Sequence, residues 1–508
     1  MFSSVLSATV QGLSVKFVQV EADVSNGLPI FQLVGYLSSE VKEAGERVRS
    51  AIRNSDFVLP PKKVVVNLSP ANMRKRGSIF DLAIAVSVLT SIGELPEQYG
   101  EGVLWVGELS LDGAVRQVPG ILPIVSEAKK RGCKCCIVPK ANQNEGQLVE
   151  GIEVIGIENL KEVSNILKGK RKKEVREKQG AMDLLREANY PDYADIKGQH
   201  LIKRAVEIAV AGGHNIMMIG PPGAGKTAIA KRIPGILPPL SLEEGIELTG
   251  IYSVLGKIDG EHPLMTTRPF REVGATVTKT ALLGGGSFPR PGEISLAHKG
   301  VLFLDEIAEF PKGILETLRK PMEDHRIKII RERGEYEFPA EFLLVAAMNP
   351  CPCGNYPDLN RCTCTSTQIQ SYLGKLSQPL LDRIDLCVDV PKVEYSALTE
   401  DKEEESSEII RERIIKARQV QKERYAGKGI LTNAGLAIQE IEQFCKLGAD
   451  EREIMKQAYE QLGLTARTYH KALCVARTIA DLGHAKEIEG RHLREALSYR
   501  TTDFRYWR

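Results

Sequence analysis

The alternation of apolar and polar positions changes twice along the chain of 508 residues. In the first third, β-branched runs at 15–24 and 63–68 predict strands, and an apolar run at 80–89 predicts a helix. Between about 195 and 390, short apolar runs alternate with helical spacing, which is typical of a parallel α/β sheet. Beyond 394, apolar residues recur at helical spacing among many charges, so this part is predicted to be helical.

These changes predict an α+β domain at 1–167, an α/β domain at 181–394 and a helical domain at 395–508. Residues 168–180 are rich in Lys, Arg and Glu and have almost no apolar side chains. We interpret them as a solvated linker between domains, and a tether that attracts DNA is the alternative.

The composition is that of a folded globular protein, with 43% hydrophobic and 26% charged residues. A formal net charge of +2 provides no overall positive field, so any grip on nucleic acid must be local. We find no apolar run long enough to span a bilayer and no signal peptide, and therefore expect no membrane partner. Ten cysteines in so long a chain favour a reduced, cytoplasmic setting.

A strand-like run at 216–219 leads directly into a phosphate-binding loop and a helix predicted to begin at Ala228. Glycines there allow backbone N–H groups to face phosphates, the lysine supplies charge, and the threonine hydroxyl can bind Mg²⁺. The pattern therefore predicts an ATP site. The predicted contacts are Gly220, Pro221, Pro222, Gly223, Ala224, Gly225, Lys226 and Thr227.

Two further strands end in polar residues that suit the same site. The run at 301–304, predicted to lie beside the P-loop strand, ends in Asp305 and Glu306. Asp305 is predicted to hold Mg²⁺ and Glu306 to polarise the attacking water. The run at 342–347 precedes Asn349, which is predicted to position water or sense the γ-phosphate; a simple turn before Pro350 is the alternative.

Four cysteines form two closely spaced pairs after that strand, namely Cys351, Cys353, Cys362 and Cys364. Four thiolates can close a tetrahedral Zn²⁺ site, although one intervening residue within each pair is tighter than the usual two. Structural zinc, free thiols and a disulfide or redox role all remain open.

Residues 326–338 partly alternate polar and apolar side chains around a glycine, which predicts a β-hairpin. Its cations, Lys328, Arg331 and Arg333, could follow DNA phosphates, but three glutamates dilute their charge. DNA contact and a purely structural hairpin are both retained.

These motifs resemble the AAA+ superfamily. The stretches 211–215, 292–298 and 379–385 are similar to Mg chelatase-like ATPases of the ComM/YifB kind, and the resemblance covers nearly the whole chain. It implies an AAA+ P-loop core of parallel sheet and helices, an α-helical lid, and a homo-oligomeric ring, usually a hexamer. It also implies that Arg383 is a finger reaching the adjacent subunit's site, and that Arg467 is the sensor arginine of the lid.

The N-terminal domain resembles the Lon protease-like, S5-like fold through residues 107–113 and 115–132. In that alignment the catalytic serine position falls near Ile79 and the lysine position near Leu122. Because neither residue can act as a nucleophile or base, we expect a peptidase-like fold without peptidase chemistry.

The family resemblance implies an ATP hydrolase that acts on DNA as a helicase or translocase, in branch migration or recombination during DNA uptake. A motor subunit for metal insertion into a tetrapyrrole is the alternative, with an ATP-gated chaperone or scaffold as a further one. An ATP-dependent protease is disfavoured by the missing serine and lysine.

Overall fold

A computed structural model describes residues 1–96, 102–167, 190–331, 334–393, 395 and 403–507 of the chain. The predicted linker at 168–180 and the boundaries at 181 and 394 lie outside these residues. The proposed domain limits therefore stay predictions, and the folded parts are described through their elements.

The N-terminal part is a mixed seven-stranded sheet covered by helices. The predicted strands and the predicted helix form, with bounds shifted by one or two residues. Its strands are β1 (Phe2–Gln11), β2 (Ser14–Ser25), β3 (Phe31–Val34), β4 (Lys63–Ser69), β5 (Val103–Trp105), β8 (Cys135–Pro139) and β9 (Glu153–Ile157), in the order β3-β4-β2-β1-β5-β8-β9, and a small ladder joins β6 (Glu108–Leu109) to β7 (Val115–Arg116). Its α-helices are Ser39–Lys42, Ala44–Asn54, Asp81–Ser91, Ile121–Lys130, Gln143–Gly146 and Lys161–Leu167.

The central part is a five-stranded, all-parallel sheet. Its strands are β10 (Ile216–Ile219), β11 (Phe270–Val273), β14 (Val301–Leu304), β17 (Leu343–Met348) and β18 (Leu386–Asp389), in the order β11-β14-β17-β10-β18. Short ladders join β12 (Gly284–Gly285) to β13 (Arg290–Pro291) and β15 (Arg326–Arg331) to β16 (Gly334–Pro339). The α-helices of this part are His200–Gly212, Lys226–Ile236, Leu242–Val254, Lys279–Leu283, Glu293–Leu296, Lys312–Leu315, Arg319–Asp324, Ser366–Leu373 and Gln378–Leu381.

Both faces of this sheet are buried, which explains why its strands read as unbroken apolar runs. On β10, Ile216 and Met218 join one hydrophobic core, whereas Met217 and Ile219 join a second core on the other face. The first core continues into the C-terminal helices and includes Leu473. The C-terminal helices are therefore packed on the α/β sheet.

The C-terminal part is entirely helical in its described residues, as its spacing predicted. Its α-helices are Ser407–Arg424, Ile438–Phe444, Ala449–Gln461, Ala466–Leu482 and Gly490–Trp507. No helix among the described residues has both the length and the apolar character that crossing a membrane requires.

Backbone and side-chain hydrogen bonds attach the N-terminal part to the helix Leu242–Val254 and the loop after it. The N–H of Gly120 donates to the carbonyl of Ser253 at 3.0 Å, and the Asn144 amide donates to the carbonyl of Gly260 at 2.9 Å. The two sheets therefore belong to one connected body.

Candidate nucleotide site

The P-loop leaves β10 in a conformation that depends on its glycines. Gly223 and Gly225 have φ of +77° and +87°, and a Cβ at either position would meet no other atom within 4 Å. Gly220 is needed for a different reason, because a Cβ there would lie 2.2 Å from the carbonyl oxygen of Val390. The loop thus surrounds open space that faces backbone N–H groups.

The helix Lys226–Ile236 begins at the end of this loop, two residues before the predicted start. Its N-cap is Gly225, and no side chain caps its first turn. Uncapped N–H groups and the positive end of the helix dipole together favour a bound anion such as a phosphate.

Lys226 is buried at the centre of the loop, with only 9% of its surface exposed. Its Nζ donates to the carbonyls of Gly220 and Pro221 at 2.6 and 3.0 Å and to Oδ1 of Asn349 at 3.1 Å. Burial lowers the pKa of Lys226, and the nearby carboxylates of Asp305 and Glu306 offset only part of this effect. A buried cation held by three neutral oxygens is ready for an anion.

The two acidic residues follow β14, as predicted, but their strand is not the neighbour of β10. The Asn349 strand, β17, lies between them and pairs with both. The prediction of direct adjacency was wrong because burial identifies a central strand without giving its position in the sheet. Even so, the Thr227 hydroxyl donates to Oδ2 of Asp305 at 2.8 Å. A hydroxyl and a carboxylate at this distance form a suitable pair for Mg²⁺.

Glu306 has an exposed side chain and a left-handed backbone with φ of +50°. Such a conformation is costly for a residue with a Cβ and is concentrated at functional sites. Its N–H donates to Oδ1 of Asp305 at 3.0 Å, which fixes the turn. The exposed carboxylate of Glu306 thus follows Asp305 at the carboxyl end of β14.

The position of β17 between β14 and β10 brings Asn349 next to the P-loop. Ile219 pairs in register with Met348, so Asn349 emerges level with Gly220. The Oδ1 of Asn349 accepts a hydrogen bond from Lys226, so its side chain lies at the P-loop.

The two predicted arginines are not brought to this site. The carbonyl of Arg383 accepts a hydrogen bond from the Asn215 amide at 3.1 Å, and Asn215 directly precedes β10. Arg383 therefore lies at the amino-terminal edge of the sheet, and the four residues of β10 separate this edge from the P-loop by about 13 Å. Arg467 lies beside it, since both guanidinium groups contact Glu323.

The four predicted cysteine ligands come together. The Sγ atoms of Cys351, Cys353 and Cys362 lie 3.4–3.7 Å from one another, and all four thiols lie within 4.8 Å. None forms a disulfide. Hydrogen bonds from neighbouring backbone groups lower the pKa of the Cys353 thiol, whereas burial and the neighbouring thiols raise the pKa of the Cys364 thiol, so one thiol of the cluster favours the thiolate that metals bind.

The cysteine loop also touches the P-loop, a contact that the sequence did not reveal. A Cβ at Gly354 would lie 2.4 Å from Cδ of Pro222, so only glycine permits this approach. Gln199 was also missed: its amide donates to the carbonyls of Ala224 and Pro391 at 3.4 and 2.8 Å. No local motif marks either residue, because each contact joins segments far apart in the chain.

The predicted hairpin forms between β15 and β16. Two of its cations are paired across the ladder: Arg326 with Glu337 and Lys328 with Glu335, each at 2.9 Å. Arg333 lies outside the described residues. The hairpin therefore exposes charged side chains, but glutamates on the opposite strand neutralise these two cations.

In the N-terminal part, the positions aligned with a peptidase serine and lysine hold buried Ile79 and Leu122. The adjacent Ser78 hydroxyl donates to a carboxylate oxygen of Glu108. Neither Ile79 nor Leu122 offers a hydroxyl or an amine, and the absence of peptidase chemistry stays a prediction.

Comparison with known proteins assigns these features to one family. Three models describing the magnesium chelatase subunit ChlI match residues 20–142, 192–398 and, for its C-terminal region, 404–500. YifB of Escherichia coli is 41% identical over 493 residues, covering 97% of this chain and 96% of YifB. The competence protein ComM of Haemophilus influenzae is 41% identical over 505 residues, covering 98% and 97%. The chain therefore belongs to the ComM/YifB family of Mg chelatase-like AAA+ proteins.

Proposed function

We propose that this protein is a ring-forming ATPase that moves DNA, in branch migration or recombination during DNA uptake. The observation that carries the proposal is the separation of the P-loop from Arg383 and Arg467, which lie at opposite edges of one sheet. A subunit cannot complete its own site across this distance. A closed ring with repeated head-to-tail interfaces supplies each site with a neighbour's arginines, and we propose a hexamer.

The residues at the P-loop suit ATP and Mg²⁺. Lys226 and the uncapped N–H groups would hold the phosphates, and Thr227 with Asp305 would hold the ion. Bound Mg²⁺ neutralises phosphate charge. Glu306 would accept a proton from the attacking water, and Asn349 would position that water or sense the γ-phosphate.

The hairpin is the proposed DNA contact. Its two cross-strand ion pairs have half-exposed side chains, and such pairs contribute little free energy. Exchanging a glutamate for a DNA phosphate therefore costs little. The name of the competence protein ComM supports a setting in DNA uptake for this chain.

ATP turnover should rise on addition of DNA, and most strongly with forked or branched substrates. The measurement is steady-state phosphate release with single-stranded, duplex, forked and four-way DNA. Binding should weaken steeply as salt rises, because phosphate contacts release counterions. An ATPase that neither binds nor responds to any DNA at low salt would refute the DNA-motor proposal. It would favour a chelatase-type motor, because the matching family models are those of the magnesium chelatase subunit ChlI.

Glu306→Gln should slow hydrolysis by about 10²- to 10⁴-fold, because the amide cannot accept the proton from water. ATP binding should be retained, since Lys226 and the loop are untouched. Single-turnover hydrolysis and equilibrium ATP binding measure the two effects separately. Glu309→Gln is the control, because Glu309 is also an exposed acid after β14 but pairs with Lys375. Normal turnover in the Glu306 variant would disprove its assigned role.

We propose that the four cysteines hold one structural Zn²⁺. A tetrahedral ZnS₄ site with Zn–S bonds near 2.3 Å has sulfur–sulfur edges of about 3.8 Å. The observed separations of 3.4–3.7 Å fit this polyhedron and are far longer than a disulfide bond. Through Gly354 the site would brace the P-loop at Pro222, and through Cys351 it would hold the segment after Asn349.

Zinc content should fall from about one ion per chain to near zero in Cys353→Ser/Cys362→Ser, because two of four ligands are lost. Elemental analysis of purified protein measures this directly. The same variant should bind ATP more weakly, since its P-loop loses the brace. Cys133→Ser is the control, because Cys133 lies outside the cluster in the N-terminal part. Wild-type protein without zinc after purification in metal-replete medium would exclude the site.

A further inference from the structure

Glu323 connects the two arginines at the amino-terminal edge of the sheet. Its Oε1 accepts a hydrogen bond from Nη2 of Arg383 at 2.7 Å and one from Nη2 of Arg467. One carboxylate oxygen thus joins a loop before β18 to the first turn of the helix Ala466–Leu482. The two guanidinium groups lie within two hydrogen-bond lengths, about 6 Å, of each other.

Two cations at this distance repel each other unless an anion lies between them. Glu323 supplies that anion, and both arginines in turn lower the pKa of its carboxyl group. With two positive charges and one negative charge, the cluster retains a net charge of +1. The Nε of Arg383 is also buried without a hydrogen-bond partner among the described residues. The net positive charge of the cluster attracts a further anion.

Exposure places this cluster at the surface. The side chain of Arg383 is 9% exposed, Glu323 39% and Arg467 44%. The three side chains therefore run from the interior to the surface. Arg383 is buried, Glu323 lies between, and Arg467 can be reached by solvent or by another subunit. An anion held on a neighbouring subunit can approach it from that side.

We propose that Glu323 is a positioning residue that holds Arg383 and Arg467 together as one paired cation site for the triphosphate bound by the adjacent subunit. The proposal rests on the ring ATPase proposed above. Glu323 itself does not touch the nucleotide. It acts on the distance and orientation of two groups that come from different parts of the chain.

The position of Glu323 in the chain also connects the two arginines to the hairpin. Glu323 is the penultimate residue of the short helix Arg319–Asp324, and two residues separate it from β15 of the hairpin. A movement of the hairpin would thus displace the carboxylate and, with it, both arginines. This arrangement gives the proposed DNA contact a direct mechanical path to the neighbour's ATP site.

Glu323→Gln is the test variant, because it keeps the size and a hydrogen-bond acceptor but removes the charge. Turnover should fall by about 10- to 100-fold, since misplacing a reacting group by about 1 Å costs on the order of 100-fold. ATP affinity should not change, because the P-loop of each chain is intact. Adding Glu323→Gln to Arg383→Ala should cause a smaller loss than the same change causes in the wild type, since one of the two groups that Glu323 positions is already absent.

Mixed rings separate positioning of a neighbour from damage within one chain. A Glu323→Gln subunit has an intact P-loop, and a Glu306→Gln subunit has intact arginines. Mixing the two impaired proteins should raise turnover several-fold above either alone, because some interfaces then combine an intact P-loop and Glu306 with an intact pair of arginines. A mixture of Glu306→Gln with Lys226→Ala should show no gain, since both defects affect the same half of an interface.

The outcomes distinguish this proposal from the one it rests on. Glu316→Gln is the matched control, since Glu316 lies just before the same helix, pairs with Arg319 at 2.7 Å and accepts a hydrogen bond from the Ser377 hydroxyl instead of bridging Arg383 and Arg467. If wild-type rings hydrolyse ATP but Glu323→Gln is unimpaired, faster, or not rescued by mixing, the positioning role is wrong and the motor stands. If wild-type protein neither assembles nor hydrolyses ATP, both proposals fail.

Discussion

Arg383→Ala is expected to lower ATP turnover of the assembled protein by about 10³- to 10⁵-fold, the range that arginine fingers contribute in related chemistry. The physical reason is that developing charge on the γ-phosphoryl group needs a fixed, permanently charged donor from the neighbouring subunit. Because Arg383 lies at the sheet edge opposite its own P-loop, ATP affinity should stay close to that of the wild type. Single-turnover hydrolysis and equilibrium binding of a labelled nucleotide measure the two quantities.

Two controls are needed because Arg383 is also buried and donates to the carbonyl of Pro379. Arg383→Lys keeps the charge but loses the planar fork, and should still lose most of the rate. Arg361→Ala removes an exposed arginine paired with Asp358, and should leave turnover unchanged. Thermal unfolding must show that each variant is folded. A folded Arg383→Ala protein with wild-type turnover would contradict the trans arrangement.

The strands and the P-loop could be predicted because their signals are local. The run at 216–219 and the glycine pattern after it lie within a few residues of one another, and burial on both sheet faces leaves no polar position to confuse the pattern. The helix after the loop was predicted to start two residues late, because a helix boundary depends on capping geometry, which the amino-acid sequence does not specify.

The order of the strands could not be read in the same way. The run before Asp305 is equally apolar whether it lies next to β10 or one strand away, and β17 in fact separates them. The prediction nevertheless grouped the right residues, because parallel strands end at the same edge of the sheet wherever they stand in it.

Contacts between distant segments were beyond the sequence. Glu323 lies 144 residues from Arg467, and nothing in either neighbourhood indicates that they meet. Gly354 looks like an ordinary loop glycine until its approach to Pro222 is seen. Such pairs arise from packing, and only the folded chain shows them.

Lys226→Ala is expected to abolish ATP-dependent activity. Lys226 donates its hydrogen bonds to neutral oxygens, and burial lowers its pKa although the carboxylates of Asp305 and Glu306 offset part of this effect. The charged lysine therefore costs free energy in the absence of ATP, and the phosphates remove this cost when they bind. Removing the side chain should eliminate ATP binding, but should leave the thermal midpoint of the nucleotide-free protein unchanged or slightly higher.

The sign of that stability change separates a functional lysine from a structural one. A lysine that stabilised the fold would leave the variant less stable, both with and without nucleotide. Here we expect the wild type to gain several degrees with saturating ATP and Mg²⁺, through linkage of binding to folding, and the variant to gain nothing. Lys231→Ala is the control on the same helix, because its exposed side chain pairs with Glu272 at 3.1 Å and it should retain the nucleotide-induced shift. A Lys226→Ala protein that is still stabilised by ATP would show that the triphosphate does not bind at the P-loop.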